Sequence, residues 1–259
     1  MPRHIIVCIK SVVLSAPKGV ALRTPDNSAL NPFDRPAIEA ALQLKESPEG
    51  GQVTALSMGP AVALEALSEA LAMGADRAVL VSDRALAESD TLVTARVLAK
   101  AVKRLGAFDF IVFGTRTSDS DTGQVGPQTA ALLDIPFISR VTSFSFENSR
   151  WNARRLMDMW EEEWEFLSPA AVTIDSRAFK PRSLGLDSIS AVYDRSAIEQ
   201  WTLKEVGIDA SAVGLAGSPT RVASLAVIKR NRNCRMLDGD PREQADALIE
   251  HLKRAGLIG

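Results

Sequence analysis

Five short apolar runs punctuate the first two-thirds of the chain: "HIIVCIK" at 4–10, "QVTALSM" at 52–58, "AVLVSD" at 78–83, "FDFIVFG" at 108–114 and "AAVTID" at 170–175. Most are continuously apolar rather than alternating, the pattern of strands covered on both faces. Between them the period becomes helical. After Asn31-Pro32-Phe33-Asp34, the stretch "RPAIEAALQLKES" sets Ile38, Ala41 and Leu42 on one face. Pro60 stands where a first helical residue would, Leu64, Leu67 and Leu71 form a stripe, and Gly74 follows the end. The next helix begins near Ser89 or Asp90, buries Val93, Val97, Leu98, Val102 and Leu105, and stops at Gly106.

Strands alternating with helices of this length predict an α/β fold: a three-layer, Rossmann-like parallel sheet with helices on both faces. After Pro136 the pattern changes. Trp160, Glu162, Trp164 and Phe166 alternate with Glu161, Glu163 and Glu165, which predicts an antiparallel excursion with the glutamates on a solvated face. The sheet then resumes at 170. Residues 176–195 lack a clean period and are long for a passive connection, so a contact role is expected. Asp240 and Pro241 open a terminal amphipathic helix that carries Ala245, Leu248, Ile249 and Leu252 and ends at Gly256. The expected division is a 1–195 α/β domain, including a loop at about 176–195, followed by a 196–259 C-terminal arm and helix.

Composition changes this picture little. The chain has 259 residues, 46% hydrophobic and 24% charged, with a net charge of −2, so no nucleic-acid partner is expected. With only two cysteines and two histidines, and no CxxC pair, no zinc or iron–sulfur site is expected. The apolar part of "MPRHIIVCIK" is too short for a signal peptide, and a cytoplasmic location is the expectation.

The stretch "GTRTSDSDTGQVGPQ" at 114–128 is the chemically unusual one. It carries glycines, hydroxyls, an amide and two aspartates, with Arg116 as its positive charge, but no lysine, histidine or cysteine. Such a loop suits holding a ligand better than transforming one. In open α/β sheets ligands bind beyond the carboxyl ends of the strands. There the segment after Lys10, the turn at Met58, Gly59 and Pro60, and the loop after Phe113 would converge, and the 31–34 stretch, which enters a helix, could join them. Gly59 and Gly114 would allow close backbone approach, and a helix starting near 122–125 would aim N–H groups at an anion. Ser118, Thr122 and Gln124 suit phosphate or ribose oxygens. This describes a nucleotide cradle without a GxxxxGK[ST] or GxGxxG motif. The same residues equally suit a plain turn with Asp119 as a cap, Asn31 as an N-cap, and Cys8 as a small core residue.

The segments "LNPFDRPAIEAALQLKE", "LSMGP", "ALAMGADRAVLV", "DSDTGQVGPQTAALL" and "SPAAVTIDSRAFKPRSLGL" resemble, in order and spacing, the beta subunit of electron-transfer flavoproteins. The resemblance spans most of residues 3–195. It implies a heterodimer with an alpha subunit that carries redox FAD. The beta subunit then holds AMP, or a second FAD in members that bifurcate electrons from NADH. Carried over residue by residue, the nucleotide contacts fall at Cys8; at Asn31, Pro32, Phe33 and Asp34; at Met58; and along Gly114, Thr115, Arg116, Thr117, Ser118, Asp119, Ser120, Asp121, Thr122, Gly123, Gln124 and Val125. No residue is expected to be catalytic. Leu186 matches the leucine that anchors partner flavin dehydrogenases such as acyl-CoA dehydrogenases. An electron-transfer flavoprotein–quinone oxidoreductase, or another acceptor, would take the electrons, and the C-terminal arm would dock on the alpha subunit. Departures are Thr115-Arg116 where the family shows Lys-Gln, Ser15 at an aromatic position, and "SISAVYDR" where the family has a basic cluster. The spelling "DSDTGQVGP" leans toward FAD over AMP. A simple electron shuttle with structural AMP is the alternative, and a standalone nucleotide-binding regulator is a more distant one.

Overall fold

A computed structural model describes residues 3–15, 22–147, 150–193, 195–224 and 234–259. Its elements run β1 (Arg3–Cys8), β2 (Ser11–Val13), β3 (Ser28–Leu30), α1 (Asp34–Lys45), β4 (Gly51–Met58), α2 (Leu64–Met73), β5 (Arg77–Val81), α3 (Thr91–Leu105), β6 (Phe110–Gly114) and α4 (Val125–Leu133). Then follow β7 (Phe137–Glu147), β8 (Arg150–Met157), β9 (Trp160–Phe166), β10 (Ala170–Ile174), α5 (Leu186–Ala191), β11 (Ile198–Trp201), α6 (Leu203–Val206), α7 (Gly214–Gly217) and α8 (Pro241–Arg254).

Among the described residues nine strands form one sheet in the order β11-β5-β4-β1-β6-β10-β7-β8-β9. The central strands are parallel, with Ile5 beside Val53 on one flank and beside Phe110 on the other. Alternation along each strand feeds both faces. Ile5, Val7, Val53, Ala55, Phe110 and Val112 pack with Ile38, Leu42 and Leu67 of α1 and α2. Ile6, Leu56, Val79, Ile111 and Phe113 pack with Val93, Val97 and Val102 of α3. This is the α/β architecture expected from the continuous apolar runs. From β1 the chain winds through β4 to β5, then returns along α3 to β6 on the other flank of β1. The carboxyl ends of β1 and β6 therefore flank the point where the winding reverses, where open sheets leave a crevice.

The antiparallel excursion extends this sheet. β7 runs parallel to β10, and β8 and β9 follow as a meander. Trp151 meets Phe110 edge-on at 4.6 Å and Phe166 lies 6.1 Å from the same ring, so the meander is fastened through aromatic burial. Glu161, Glu163 and Glu165 are exposed, while Phe166 turns into the core. Arginines of β8 meet these glutamates and their neighbour: Arg150–Glu165 at 2.9 Å, Arg154–Glu163 at 3.8 Å and Arg155–Glu162 at 2.7 Å.

Two local expectations shift. Pro60 does not open the helix: Ala61–Ala63 forms a 3₁₀ turn, and α2 begins at Leu64. Residues 198–201 are an edge strand parallel to β5, with Ile198 and Trp201 buried. The Arg77 fork on Glu199 (2.6 and 2.9 Å) ties this strand down. By packing, the chain divides into Met1–Ser224 and Leu225–Gly259. In the second unit α8 is capped by Asp240 and Glu243, each accepting a backbone N–H of the other's residue at 3.0 Å. Residues 225–233 of the arm lie outside the described residues, as does Asp194. No helix among the described residues is long and apolar enough to cross a membrane.

Candidate functional site

The 31–34 stretch is a staple between loops. Asn31 is wholly buried and does not cap α1. Its amide nitrogen donates to Asp34 Oδ1 and to the Arg116 carbonyl, both at 2.8 Å, and its oxygen accepts from the Ser118 backbone at 3.2 Å. Asp34 accepts the Lys10 backbone N–H at 2.8 Å and a backbone N–H from Gly114. One buried amide and one buried carboxylate thus join the exit of β1, the start of α1 and the loop after β6. Pro32 is exposed at the turn, and the half-buried Phe33 ring carries the Arg116 guanidinium at 4.6 Å. Gly114 has no room for a side chain, since a Cβ would meet the Asp34 carboxylate and the Phe33 carbonyl.

Burial pushes the Asp34 carboxyl up to about 7, although hydrogen bonds from Lys10, Asn31 and Gly114 favour its ionised form. The unfolded chain holds this proton only to its ordinary value of 3.8. The native state therefore binds more protons between about pH 4 and 7, and stability from this group falls as pH rises through that window. The expected result is that the wild-type melting temperature rises between pH 8 and pH 6 relative to Asp34→Asn. Parallel wild-type and variant profiles would refute the assignment.

The loop after β6 is built from its own polar groups. Asp119 is fixed by Lys10 Nζ at 2.7 Å, with Arg23 at 4.0 Å. Burial disfavours its charge, but the Lys10 ammonium outweighs that and holds the carboxyl below the usual range. Asp119 therefore bridges to Lys10, the second residue after β1, instead of merely capping a turn. Thr117 and Ser120 hydroxyls pair at 2.8 Å, and Arg116 meets Asp121 at 3.2 Å. Asp121 and Gly123 take left-handed φ values of 54° and 61°, bending the chain back so that α4 starts at Val125. Thr122 is exposed there, and Gln124 accepts from the Thr91 hydroxyl at 3.0 Å.

At two expected contacts the side chain faces the core. The Cys8 thiol is buried in the α3-side core, and burial pushes its pKa far up, so only the Cys8 backbone stands at the strand end. The partly buried Met58 side chain packs against the same core. The structure thus gathers the 31–34 stretch, Lys10 and the 114–125 loop, while the side chains at 8 and 58 belong to packing.

Beyond this loop lies a cleft of about 700 Å³. Phe33, Thr115, Arg116 and Gly123 line one wall. The other comes from the ends of β7 and β10 and the residues after β10: Phe137, Ser139, Arg140, Thr173, Asp175 and Arg177. The second wall was not anticipated from sequence. Its one signal was position, since Asp175 ends a predicted strand at its carboxyl end and Arg177 follows it. The volume lies within the roughly 300–1,000 Å³ of small-molecule sites. Aromatic rings together with guanidinium groups, hydroxyls and close backbone suit a ligand with both a planar ring and an anionic part.

Leu186 opens the short helix α5 and is 83% exposed. The segment's root is fixed: Arg182 forks onto Glu39 at 2.8 and 3.1 Å and onto Glu46 at 2.7 and 3.2 Å.

Residues 19–205 match the electron transfer flavoprotein domain. The chain is 34% identical over 261 residues to the electron transfer flavoprotein subunit beta of Clostridium acetobutylicum, covering 98% of this chain and 100% of the relative. It is also 34% identical over 262 residues to the caffeyl-CoA reductase-Etf complex subunit CarD of Acetobacterium woodii, covering 98% and 100%. The acryloyl-CoA reductase electron transfer subunit gamma of Anaerotignum propionicum is 34% identical over 267 residues, again covering 98% and 100%. A shared domain over most of the chain and relatives matched end to end lead to one conclusion: the chain belongs to the electron transfer flavoprotein family, as a beta subunit.

Proposed function

We propose that this subunit pairs with an alpha subunit, holds a nucleotide in the cleft beside the 114–125 loop, and serves electron transfer between flavin dehydrogenases and a downstream acceptor. The observation that carries the reading is the cleft of about 700 Å³ walled by Phe33, Arg116 and Gly123. Gly123 at φ 61° and the crowded Gly114 bring backbone to the rim where a ligand approaches. Thr115, Ser118 and Thr122 offer hydroxyls for ribose or phosphate oxygens, and Arg116 offers a planar cation. Gln124 and Val125 begin the helix below, while Asn31 and Asp34 hold the loop in place. Among the described residues that line the cleft there is no cysteine, histidine or lysine. Binding and orientation are the work of these residues.

FAD is the nucleotide we assign. Phe33 and Phe137 line the same cleft, so ring contact extends beyond the polar loop. Bound FAD supplies reversible one- and two-electron chemistry, which AMP does not. With a second flavin here the heterodimer would be of the type that bifurcates electrons from NADH, and with AMP it would be a simple shuttle. Names such as caffeyl-CoA reductase and acryloyl-CoA reductase among the relatives support a reductase or dehydrogenase as partner. A quinone oxidoreductase of this system is the proposed acceptor class, the cytoplasm the proposed location, and the C-terminal arm the proposed grip on the alpha subunit. Denaturing the purified heterodimer should release two FAD and no AMP. Release of one FAD and one AMP would overturn the FAD assignment in favour of the shuttle.

A further inference from the structure

The cleft wall contributed by β7 and β10 contains an arrangement that the loop does not explain. Arg140 sits in β7 at a left-handed φ of 56°, where the pairing register with β10 shifts. A non-glycine residue there is strained, and such strain persists where the surroundings impose it. The surroundings are identifiable. The Arg140 backbone N–H donates to Thr173 Oγ1 at 2.9 Å, and its guanidinium donates to Asp175 Oδ2 at 3.1 Å. Asp175, whose side chain is only 10% exposed, also accepts the Arg177 backbone N–H at 3.0 Å and faces the Arg177 guanidinium at 3.7 Å. One buried carboxylate therefore orients the Arg140 guanidinium, fixes the Arg177 backbone and faces the Arg177 guanidinium at one wall of the cleft. Across the cleft stands Arg116, already engaged by Asp121.

The charge balance favours an anion. Two cations share one carboxylate, and that carboxylate lies behind them. Burial opposes its ionisation, but the Arg177 backbone N–H and the Arg140 guanidinium hold its pKa below the ordinary range, so it stays charged and keeps both arginines in place. A guanidinium has five N–H donors in a fixed plane. Among the described residues, one donor of Arg140 is spent on Asp175, and the Arg177 side chain is 80% exposed. The remaining donors are of the kind that meets phosphate oxygens in paired, charge-assisted hydrogen bonds.

We propose that Arg140 and Arg177, positioned by Asp175, form a diphosphate-binding subsite on the β7–β10 wall of the cleft. A dinucleotide would then lie across the cleft with its phosphates between this pair and Arg116, and its rings toward Phe33 and Phe137. The assignment rests on the nucleotide reading above, whereas phosphate recognition by the arginine pair is a separate claim.

The test uses the full chain in the complex in which it is purified, stripped of nucleotide with charcoal, and titrated calorimetrically with ADP, adenosine and inorganic pyrophosphate. ADP is expected to bind more tightly than adenosine. Arg140→Gln/Arg177→Gln should weaken ADP by roughly 150-fold, the scale of losing two charge-assisted hydrogen bonds, while adenosine changes less than about twofold. Arg177→Gln alone, at an exposed side chain outside the bulge, should weaken ADP by roughly fivefold, and Arg177→Lys should restore part of it. These single variants keep the test valid if the double variant misfolds. Unchanged ADP affinity, or equal losses for ADP and adenosine, would overturn the subsite. So would unchanged ADP affinity accompanied by loss of the heterodimer, which would assign the arginines to the partner chain. If neither ADP nor adenosine binds but pyrophosphate does, and Arg177→Gln abolishes that binding, the phosphate subsite stands and the nucleotide reading falls. Absence of all three binding events overturns both.

Discussion

Alanine at Gly114 is expected to empty the proposed nucleotide cleft and to lower stability by about 1–3 kcal/mol, the range for forcing extra volume into a filled site. The added Cβ would lie 2.6 Å from the Phe33 carbonyl oxygen and closer still to the Asp34 carboxylate. Neither neighbour can give way cheaply. The carbonyl belongs to the turn that starts α1, and the carboxylate is held by N–H donors from Lys10, Asn31 and Gly114 itself. Moving Asp34 would also release Asn31, which pins the Arg116 carbonyl and the Ser118 amide. The loop should therefore lose its shape together with its ligand. Nucleotide released on denaturation and the melting temperature measure the two effects. Gly185→Ala is the matched control, because a Cβ there meets nothing nearer than 3.8 Å. A Gly114→Ala protein with full nucleotide content and wild-type melting would show that the staple does not shape the cleft.

Leu186→Ala is expected to slow electron transfer with the cognate dehydrogenase at least tenfold, with nucleotide content and melting unchanged. Leu186 is 83% exposed, so the folded chain has little packing there to lose. Seated in a partner's apolar pocket, a leucine contributes about 1.5–3 kcal/mol, which corresponds to a ten- to hundredfold change in affinity. The anchor would work from a firm base, since Arg182 holds the segment to Glu39 and Glu46 of and just after α1. Leu184 and Ile189 face a groove beside α2, so the short helix presents Leu186 without being loose itself. A sharp drop in melting temperature with intact dehydrogenase coupling would make Leu186 a packing residue and end the anchor reading.

The central sheet was legible because strands buried on both faces must be apolar throughout, and "IIVC", "VTAL", "AVLV" and "FIVF" leave little else to infer. Helix ends were legible where one residue decides them: Asp90 accepts the Val93 N–H at 3.0 Å, and Gly106 takes φ 98°. β11 was not legible. It is four residues long with only its ends buried, and "IEQW" has no period that short-range patterning can detect. The 114–125 loop announced itself by composition, but its fastening did not. Lys10 reaches Asp119 across 109 positions, and Asn31 reaches Arg116 across 85. The arginine wall was hidden for the same reason. Arg140 and Asp175 lie 35 positions apart and meet because β7 and β10 are neighbours in the sheet, which pattern along one strand cannot reveal.

The meander that ends the sheet has a consequence for how copies of this chain behave in a crowded solution. A nine-stranded sheet finishing in a seven-residue strand offers unpaired backbone groups to any other strand, a template for association. Here that template reads "WEEEWEF". Three of its four glutamates, Glu162, Glu163 and Glu165, are answered from within by arginines of β8, so inside one molecule most of the edge charge is balanced. A second copy laid alongside brings glutamates toward glutamates, with both sets of arginines on the far sides. Like charges facing each other across a strand pair are destabilising. The strand that completes the sheet thus also discourages the sheet from growing.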